Sequence, residues 1–470
     1  MKNKCWLILF LIAVMLTSSA CGGETVPSAE DTTASETLAE TETEQVFTLP
    51  EADYNGEEFT FLNGNVSYTY ASVVATEQTG ETMNDAIYQR NSAVEERYNI
   101  KIGEVITNDP QADYKKSVTT GDNSFDIALL RMEWAFPAVL ENTVLSWDNI
   151  PYLQLEQDWW VQGSIESMSL MNKVYFAVSQ FDTSHFESVR GFVYNKNMAE
   201  DLQLPSLYTL VREGKWTLDV FYDMCTKAAV DLDGNGKFTN NDCYGVATYP
   251  NVFGNTLMCG VGSILSIGKD KDDIPFFDLD SETHINNLID VTKLFENKNG
   301  FMSTEQPLFK SGQSLFRCCL MSEITSLRDM EDDFGILPAP KRDEEQKEYY
   351  NLGGSPFFMV VPNTAKDLER TGIMMEALAM ESMGLIDTAY YDTILMGKTS
   401  RDEESVEMLA LIFSTLDYYH PLANSYLNAP MTDKYICVGN ADYASYFASV
   451  RDLINKDIET AIATFTANTN

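Results

Sequence analysis

The chain has 470 residues, 44% of them hydrophobic and 11% aromatic, and a formal net charge of -39. That length and apolar content suffice for two or more lobes with cores of their own. The charge repels nucleic acid and anionic lipid headgroups, which argues against DNA- and RNA-binding functions and leaves a neutral or cationic ligand, or divalent cations, as the expectation.

The chain opens with Lys2 and Lys4, then the apolar run CWLILFLIAVML from Cys5 to Leu16. The run is short for a bilayer span and right for the core of a signal peptide. It ends in TSSACGGE, where Ser18, Ser19, Ala20 and Cys21 resemble the lipobox of bacterial lipoproteins. That resemblance implies a signal peptide over 1–20 and a palmitate-type acyl anchor on Cys21, holding the protein on the extracellular face of the cell membrane. Ser18 stands where that pattern prefers leucine, and an ordinary signal peptide cut after Ala20 is the other reading. Residues 21–50 are then the lipidated cysteine and an acidic tether rich in Thr, Ser, Glu and Ala, too polar to bury a core.

After the tether, EEFTFLN (57–63) reads as a strand. Residues 81–99 read as a helix, with Met83, Ile87, Val94 and Tyr98 on one stripe. IKIGEVI is a second strand, DYKKSVTTG a short helix closed by Gly121, and FDIALL a buried third strand. This alternation is the grammar of a parallel sheet covered by helices. KVYFAVS (173–179) reads as a strand, GFVYNKNMAEDL as a strand entering a helix, and 214–230 as a helix with Thr217 as N-cap. HINNLIDVTKLFENK is a further helix. PLFKSGQSLFRCCLM, DFGILPAPK and NLGGSPFFMVVP carry strands, and 365–470 is mainly helical.

Between the helix at 214–230 and the next strand lies DLDGNGKFTNND. Asp231, Asp233, Asn235, the Lys237 carbonyl and Asp242 fall at loop positions 1, 3, 5, 7 and 12, with Gly236 at 6, as in a calcium loop. The sequence that follows, CYGVATYP, is a poor second helix and there is one such loop, so a structural calcium ion is expected rather than a sensor. A solvated turn rich in Asp and Asn is the alternative. The six cysteines of the body show no metal-knuckle spacing, and Cys318 and Cys319 read as buried small apolar residues.

FDIALL, KVYFAVS, YNKNMAEDL, GKWTLDVF, FKSGQSLF, FGILPAPK and GGSPFFMVVP, in this order, resemble the carbohydrate-type extracellular solute-binding proteins of ABC importers. Gly214 and Lys215 precede Trp216 where that family has proline. The resemblance implies a two-lobed α/β, periplasmic-binding-protein-like fold of type II, each lobe a sheet covered by helices. Residues 51–185 with 356–388 would form one lobe, and 186–355 with 389–470 the other. It further implies a protein without catalytic activity that captures a sugar or oligosaccharide in the cleft and delivers it to an ABC permease.

A sugar site wants aromatic faces beside polar groups. Candidates near strand ends and crossings are Trp134, Trp159, Trp160, Gln180, Asp182, Gly354 and Ser355, and an uncharged polar solute is expected. Core packing is the competing role for each tryptophan, and capping for Gln180 and Asp182. Trp159 and Trp160, being consecutive, would not share a face in a helix or strand. A surface-anchored enzyme acting on polysaccharide, or a calcium-stabilised adhesion lipoprotein, is the alternative. No histidine pair, nucleophile elbow or zinc motif supports the enzyme.

Overall fold

The computed structural model describes residues 48–65, 72–263, 267–296, 300–395 and 403–467; the candidate lipidation site Cys21 and the tether to residue 47 fall outside them. Contacts group Leu49–Asn470 as one unit. Within it two five-stranded sheets carry the architecture.

The first sheet contains β1 (Glu57–Gly64), β2 (Ile100–Thr107), β3 (Ile127–Arg131), β4 (Phe176–Ala177) and β13 (Phe357–Val360), in the order β2-β1-β3-β13-β4. The second contains β5 (Arg190–Asn195), β6 (Tyr244–Ala247), β9 (Met302–Ser303), β10 (Ser314–Leu320) and β11 (Phe334–Leu337), in the order β11-β5-β10-β6-β9. A hairpin, β7 (Ile267–Lys269) with β8 (Pro275–Phe277), and a short pair, β12 (Asn351–Leu352) with β14 (Leu416–Asp417), complete the strands.

β1 lies parallel to β2 and β3, as alternating strand and helix dictate, whereas β13 runs antiparallel to β3 and β4. In the second sheet β10 is parallel to β6, β6 to β9, and β5 runs antiparallel to β10 and β11. Both returning strands, β13 and β5, follow a crossing between the sheets. Phe59, Phe61, Phe192, Val193, Phe316 and Leu337 are fully buried, as expected of strands covered on both faces.

The helices form where the sequence caps them. Glu81 accepts from the Asn84 N–H at the head of Thr82–Tyr98, and Asn99 closes it in the left-handed region at φ 47°. The helix read from Asp113 begins earlier, at Pro110, because Asp109 caps it and proline suits the first helical position. Thr217 precedes helix Leu218–Ala228 in extended conformation, but its side chain makes no capping bond. KVYFAVS keeps only Phe176 and Ala177 in the sheet. Six body cysteines are free, with Cys318 and Cys319 both buried.

Candidate functional site

The crossings fix where a solute can meet both sheets. From Val178 the chain leaves the carboxyl end of β4, turns through helix Thr183–Ser188 and enters β5 at Arg190. It returns from β12 through Gly353–Pro356 into β13. The two passages lie side by side. Ser188 Oγ donates to the Gly353 carbonyl at 2.7 Å, and the Phe357 N–H donates to Ser184 Oγ at 2.9 Å. Gly354 has φ +70°, and a Cβ there would stand 2.1 Å from the Ser188 carbonyl oxygen. Only glycine meets both demands.

Strand direction follows from these passages. The carboxyl ends of β1, β2, β3 and β4, with the amino end of β13, line the edge of the first sheet nearest the crossings. The carboxyl ends of β6, β9, β10 and β11, with the amino end of β5, line the corresponding edge of the second. Ligands of open α/β sheets bind outside carboxyl ends, so these edges are the candidate place for a solute.

Ser355 lies on it: its carbonyl accepts from Arg131 Nη2 at 3.3 Å, and Arg131 Nη1 stands 3.7 Å from Glu133 Oε1 at the end of β3. Gln180 lies just beyond β4; its N–H donates to the Trp159 carbonyl at 3.0 Å, and its buried Oε1 has no partner among the described residues. Trp134, on helix Met132–Leu140, half-buries its ring along a cavity of about 80 Å³ with Tyr114, Lys115 and Glu141.

Three candidates take other positions. Trp160 is 1% exposed and packs on Trp147 with ring centroids 5.3 Å apart, so it belongs to the core. Trp159 is half-buried, and its Nε1 donates to Glu376 Oε1 at 2.8 Å while Trp160 Nε1 donates to Oε2 at 3.0 Å. The pair sits in a turn, so consecutive indoles do converge, on one buried carboxylate whose pKa burial raises. Asp182 is buried as the N-cap of helix Thr183–Ser188, accepting from Ser184 N–H and Oγ; burial pushes its pKa up to about 7. Its carboxylate is spent on the crossing.

Sequence reasoning missed Tyr249, which is 53% exposed two residues beyond β6, and Arg190, which opens β5. An aromatic residue just past a buried strand, before Pro250, was the available signal for the first. The second became visible only with the crossing.

In the acidic loop, ligand oxygens of Asp231, Asp233 and Asp242 approach within 4.8 Å of one another. Asp231 accepts from the Gly234 and Gly236 N–H groups, Asp242 from those of Leu232 and Thr239. The Asp242 bonds hold its pKa below the usual carboxylate range. The loop joins helix Leu218–Ala228 to β6, so no second helix flanks it.

Two sheets of this topology, joined by adjacent crossings beside facing carboxyl edges, define the two-lobed α/β fold of solute-binding proteins. Solved structures agree. An extracellular solute-binding protein from Staphylococcus aureus in complex with maltose superposes with a TM-score of 0.57 at 12% identity, covering 86% of this chain and 98% of that one. An ABC substrate-binding protein from Listeria monocytogenes in complex with cycloalternan gives 0.54 at 12% identity, covering 86% and 99%. A cyclo/maltodextrin-binding protein complexed with maltotetraose gives 0.54 at 13% identity, covering 83% and 96%. No family model and no curated protein matches the chain. Among the described residues no helix is long and apolar enough to cross a membrane.

Proposed function

We propose that this protein is the surface-anchored substrate-binding component of an ABC importer, taking up a sugar or oligosaccharide between its lobes and passing it, unaltered, to the permease. The observation that carries this reading is the meeting of two carboxyl strand edges at paired crossings, in a fold whose solved examples include proteins bound to maltose and maltotetraose. A solute touching both edges binds the closed arrangement better than the open one, and that difference drives closure. Tyr249 supplies an exposed ring, and Gln180, Ser355 and the Arg131–Glu133 pair supply polar groups nearby. Trp134 keeps part of its ring available.

Two further parts belong to the same proposal. Cys21 carries the acyl anchor, with the acidic tether holding the lobes clear of the membrane. The loop 231–242 holds a calcium ion through Asp231, Asp233, Asn235, the Lys237 carbonyl and Asp242. The approach of oxygens from Asp231, Asp233 and Asp242 to within 4.8 Å of one another supports it, because a hard cation takes oxygen ligands grouped in this way.

Calorimetric titration of the purified chain against neutral and acidic oligosaccharides, with calcium and after chelation, tests the central claim. Saturable binding with the sugar recovered intact supports it. Cleavage of any sugar would transfer the protein to the polysaccharide-acting enzymes, and failure to bind any member of the panel would remove sugars as the solute.

A further inference from the structure

The two crossings share a buried carboxylate. Asp182 is 1% exposed and heads helix Thr183–Ser188 in the first crossing. Its Oδ1 accepts from the Ser184 N–H at 2.9 Å, and its Oδ2 from the Ser184 hydroxyl at 2.7 Å. That same hydroxyl accepts from the Phe357 N–H at 2.9 Å, where the second crossing enters β13. The bonds run in one sense, from the Phe357 amide through Ser184 to Asp182, so each polarises the next. Among the described residues the Ser184 hydroxyl donates to no other acceptor.

Few charges surround Asp182. Arg90, from helix Thr82–Tyr98, is the neighbouring cation. Its donors go elsewhere, to Asn91 Oδ1 at 2.9 Å and to the Phe181 and Val73 carbonyls at 3.2 and 2.9 Å. It therefore balances Asp182 through space. Glu187 on the same helix is a like charge, and Tyr418, just past β14, also faces Asp182. Two other helices pack on this one. They bring Glu323, engaged with the Leu320 N–H and Arg317, and Tyr390, whose ring lies on Phe186. At the second crossing Arg131 donates to the Ser355 carbonyl. Burial pushes the Asp182 pKa up to about 7, against the pull of Ser184 and Arg90, so the group changes charge near neutrality. His185, held down to about 3 by burial, stays neutral there.

We propose that Asp182 is a positioning residue of the hinge: its carboxylate, acting through Ser184, holds the two crossings in register so that they bend as one unit, and solute is bound more tightly when Asp182 is ionised. This rests on the reading of the chain as a binding protein whose lobes close. An ionised Asp182 only accepts, and both Ser184 donors meet it. A protonated one has a hydrogen of its own to donate, and the Ser184 groups bonded to it are already donors. Placing that hydrogen turns the Ser184 hydroxyl out of the relay and loosens its hold on the Phe357 amide. Crossings that move separately enlarge the set of open arrangements that a solute must collapse, and this ordering cost is taken from the affinity. Binding therefore favours the ionised form, releases part of a proton, and strengthens as pH rises through 7.

Spin labels on Lys116 and Asp223, exposed positions of helices Pro110–Thr120 and Leu218–Ala228, test the hinge in the unliganded full chain at pH 8 and pH 6. The wild-type distance distribution is expected to broaden at pH 6. Asp182→Asn, which imitates the protonated acid, and Ser184→Ala, which cuts the relay and keeps the carboxylate, should be broad at both. Calorimetric titration with maltotetraose, uncharged at either pH, reads the consequence for binding. Wild type should bind about fivefold more tightly at pH 8 than at pH 6, and both variants should show the weaker affinity throughout. A merely structural Asp182 would lower the stability of the variants and leave wild-type affinity level with pH. Wild-type distances indifferent to pH, or a level affinity profile, overturn the proposal. So does a pH dependence that survives in Asp182→Asn, which would pass to Asp417 at β14, raised to about 6 by burial. If neither variant folds, the two wild-type profiles decide. Absence of maltotetraose binding at both pH values counts against the sugar reading, and the labels then decide the hinge alone.

Discussion

Histidine is scarce in this chain, and each of the three histidines is hidden. His185, His284 and His420 are buried, and desolvation pushes their pKa values down to about 3, 4 and 3. The sign of the effect on stability follows. Below pH 6.5 the unfolded chain binds a proton that the folded state refuses, so stability falls as pH drops from 6.5 towards 4. Asp182 and Asp417, raised to about 7 and 6, act in the opposite sense over an overlapping window, which makes whole-protein pH profiles ambiguous. A single-site variant isolates one contribution. His284 packs on Phe447 with ring centroids 5.6 Å apart, so leucine fills the site acceptably. Chemical denaturation at pH 7 and pH 4.5 should show wild type losing about 2 kcal/mol more than His284→Leu on acidification; equal losses would place the acid sensitivity elsewhere. None of this burial is visible from the sequence, where a histidine beside Tyr418 and Tyr419 reads like a surface or site residue. The tryptophan pair makes the same point. Alternation along a strand or helix separates adjacent side chains, but a turn does not, and the partner that gathers both indoles, Glu376, lies more than two hundred residues downstream.

At the scale of elements, the strands were legible wherever one short apolar run met a turn signal, as in EEFTFLN, FDIALL and GFVYN. Their edges were not, because pairing partners decide where a ladder stops: KVYFAVS offers seven strand-like residues and β13 engages two. The acidic loop is legible as a turn, since the residues that shape it are local in sequence. Asp231 accepts from the Gly234 and Gly236 N–H groups and Asp242 from those of Leu232 and Thr239, bonds that an Asx turn also makes. A calcium ion at the centre would replace carboxylate repulsion with coordination. At about 1 mM calcium and a dissociation constant of about 10⁻⁴ M, the folded state gains roughly 1.4 kcal/mol. Scanning calorimetry should therefore show a rise in unfolding temperature with calcium, reversed by chelator and absent in Asp231→Asn. An unchanged transition in all three conditions would reduce the loop to a turn stabilised by its own Asx bonds. The crossings, by contrast, could be placed near Gly353 and Gly354 but not understood from the chain alone. The need for glycine comes from the Ser188 carbonyl, and nothing local announces that contact.

For the molecule as a whole, the question is what resists the lobes moving apart, and two long-range ties stand out beside the crossings. The β7–β8 hairpin, inserted between strands of the second sheet, reaches the segment ahead of β4. Lys269 Nζ donates to the Glu166 carbonyl at 2.6 Å and the Ser169 carbonyl at 2.7 Å, and pairs with Asp273 at 3.0 Å. Asp273 in turn accepts from the Asn172 and Met171 N–H groups, both at 3.0 Å. The helix Tyr443–Ala467 forms the second tie. It is anchored at Tyr443, which bonds Thr292, and at its far end Phe465 meets Tyr175 edge-on at 4.9 Å. If the proposed function holds, closure around a solute would either carry these ties along or break them. The ammonium of Lys269 is mostly covered, so removing it takes the donor from two carbonyls and from Asp273 Oδ1 at once, while Asp273 Oδ2 keeps the Asn172 N–H. Lys269→Met is therefore expected to cost about 2–4 kcal/mol of stability and, more tellingly, to free the hairpin from the segment 166–173. Spin labels placed on Asp158 and Asp278 should report a broader distance distribution in the variant than in the parent. Saturating solute should narrow it again only if the crossings, rather than the hairpin, set the closed geometry. A variant distribution as narrow as the parent's without solute would mean that the hairpin merely rests on the first lobe and that the helix Tyr443–Ala467 alone restrains the opening.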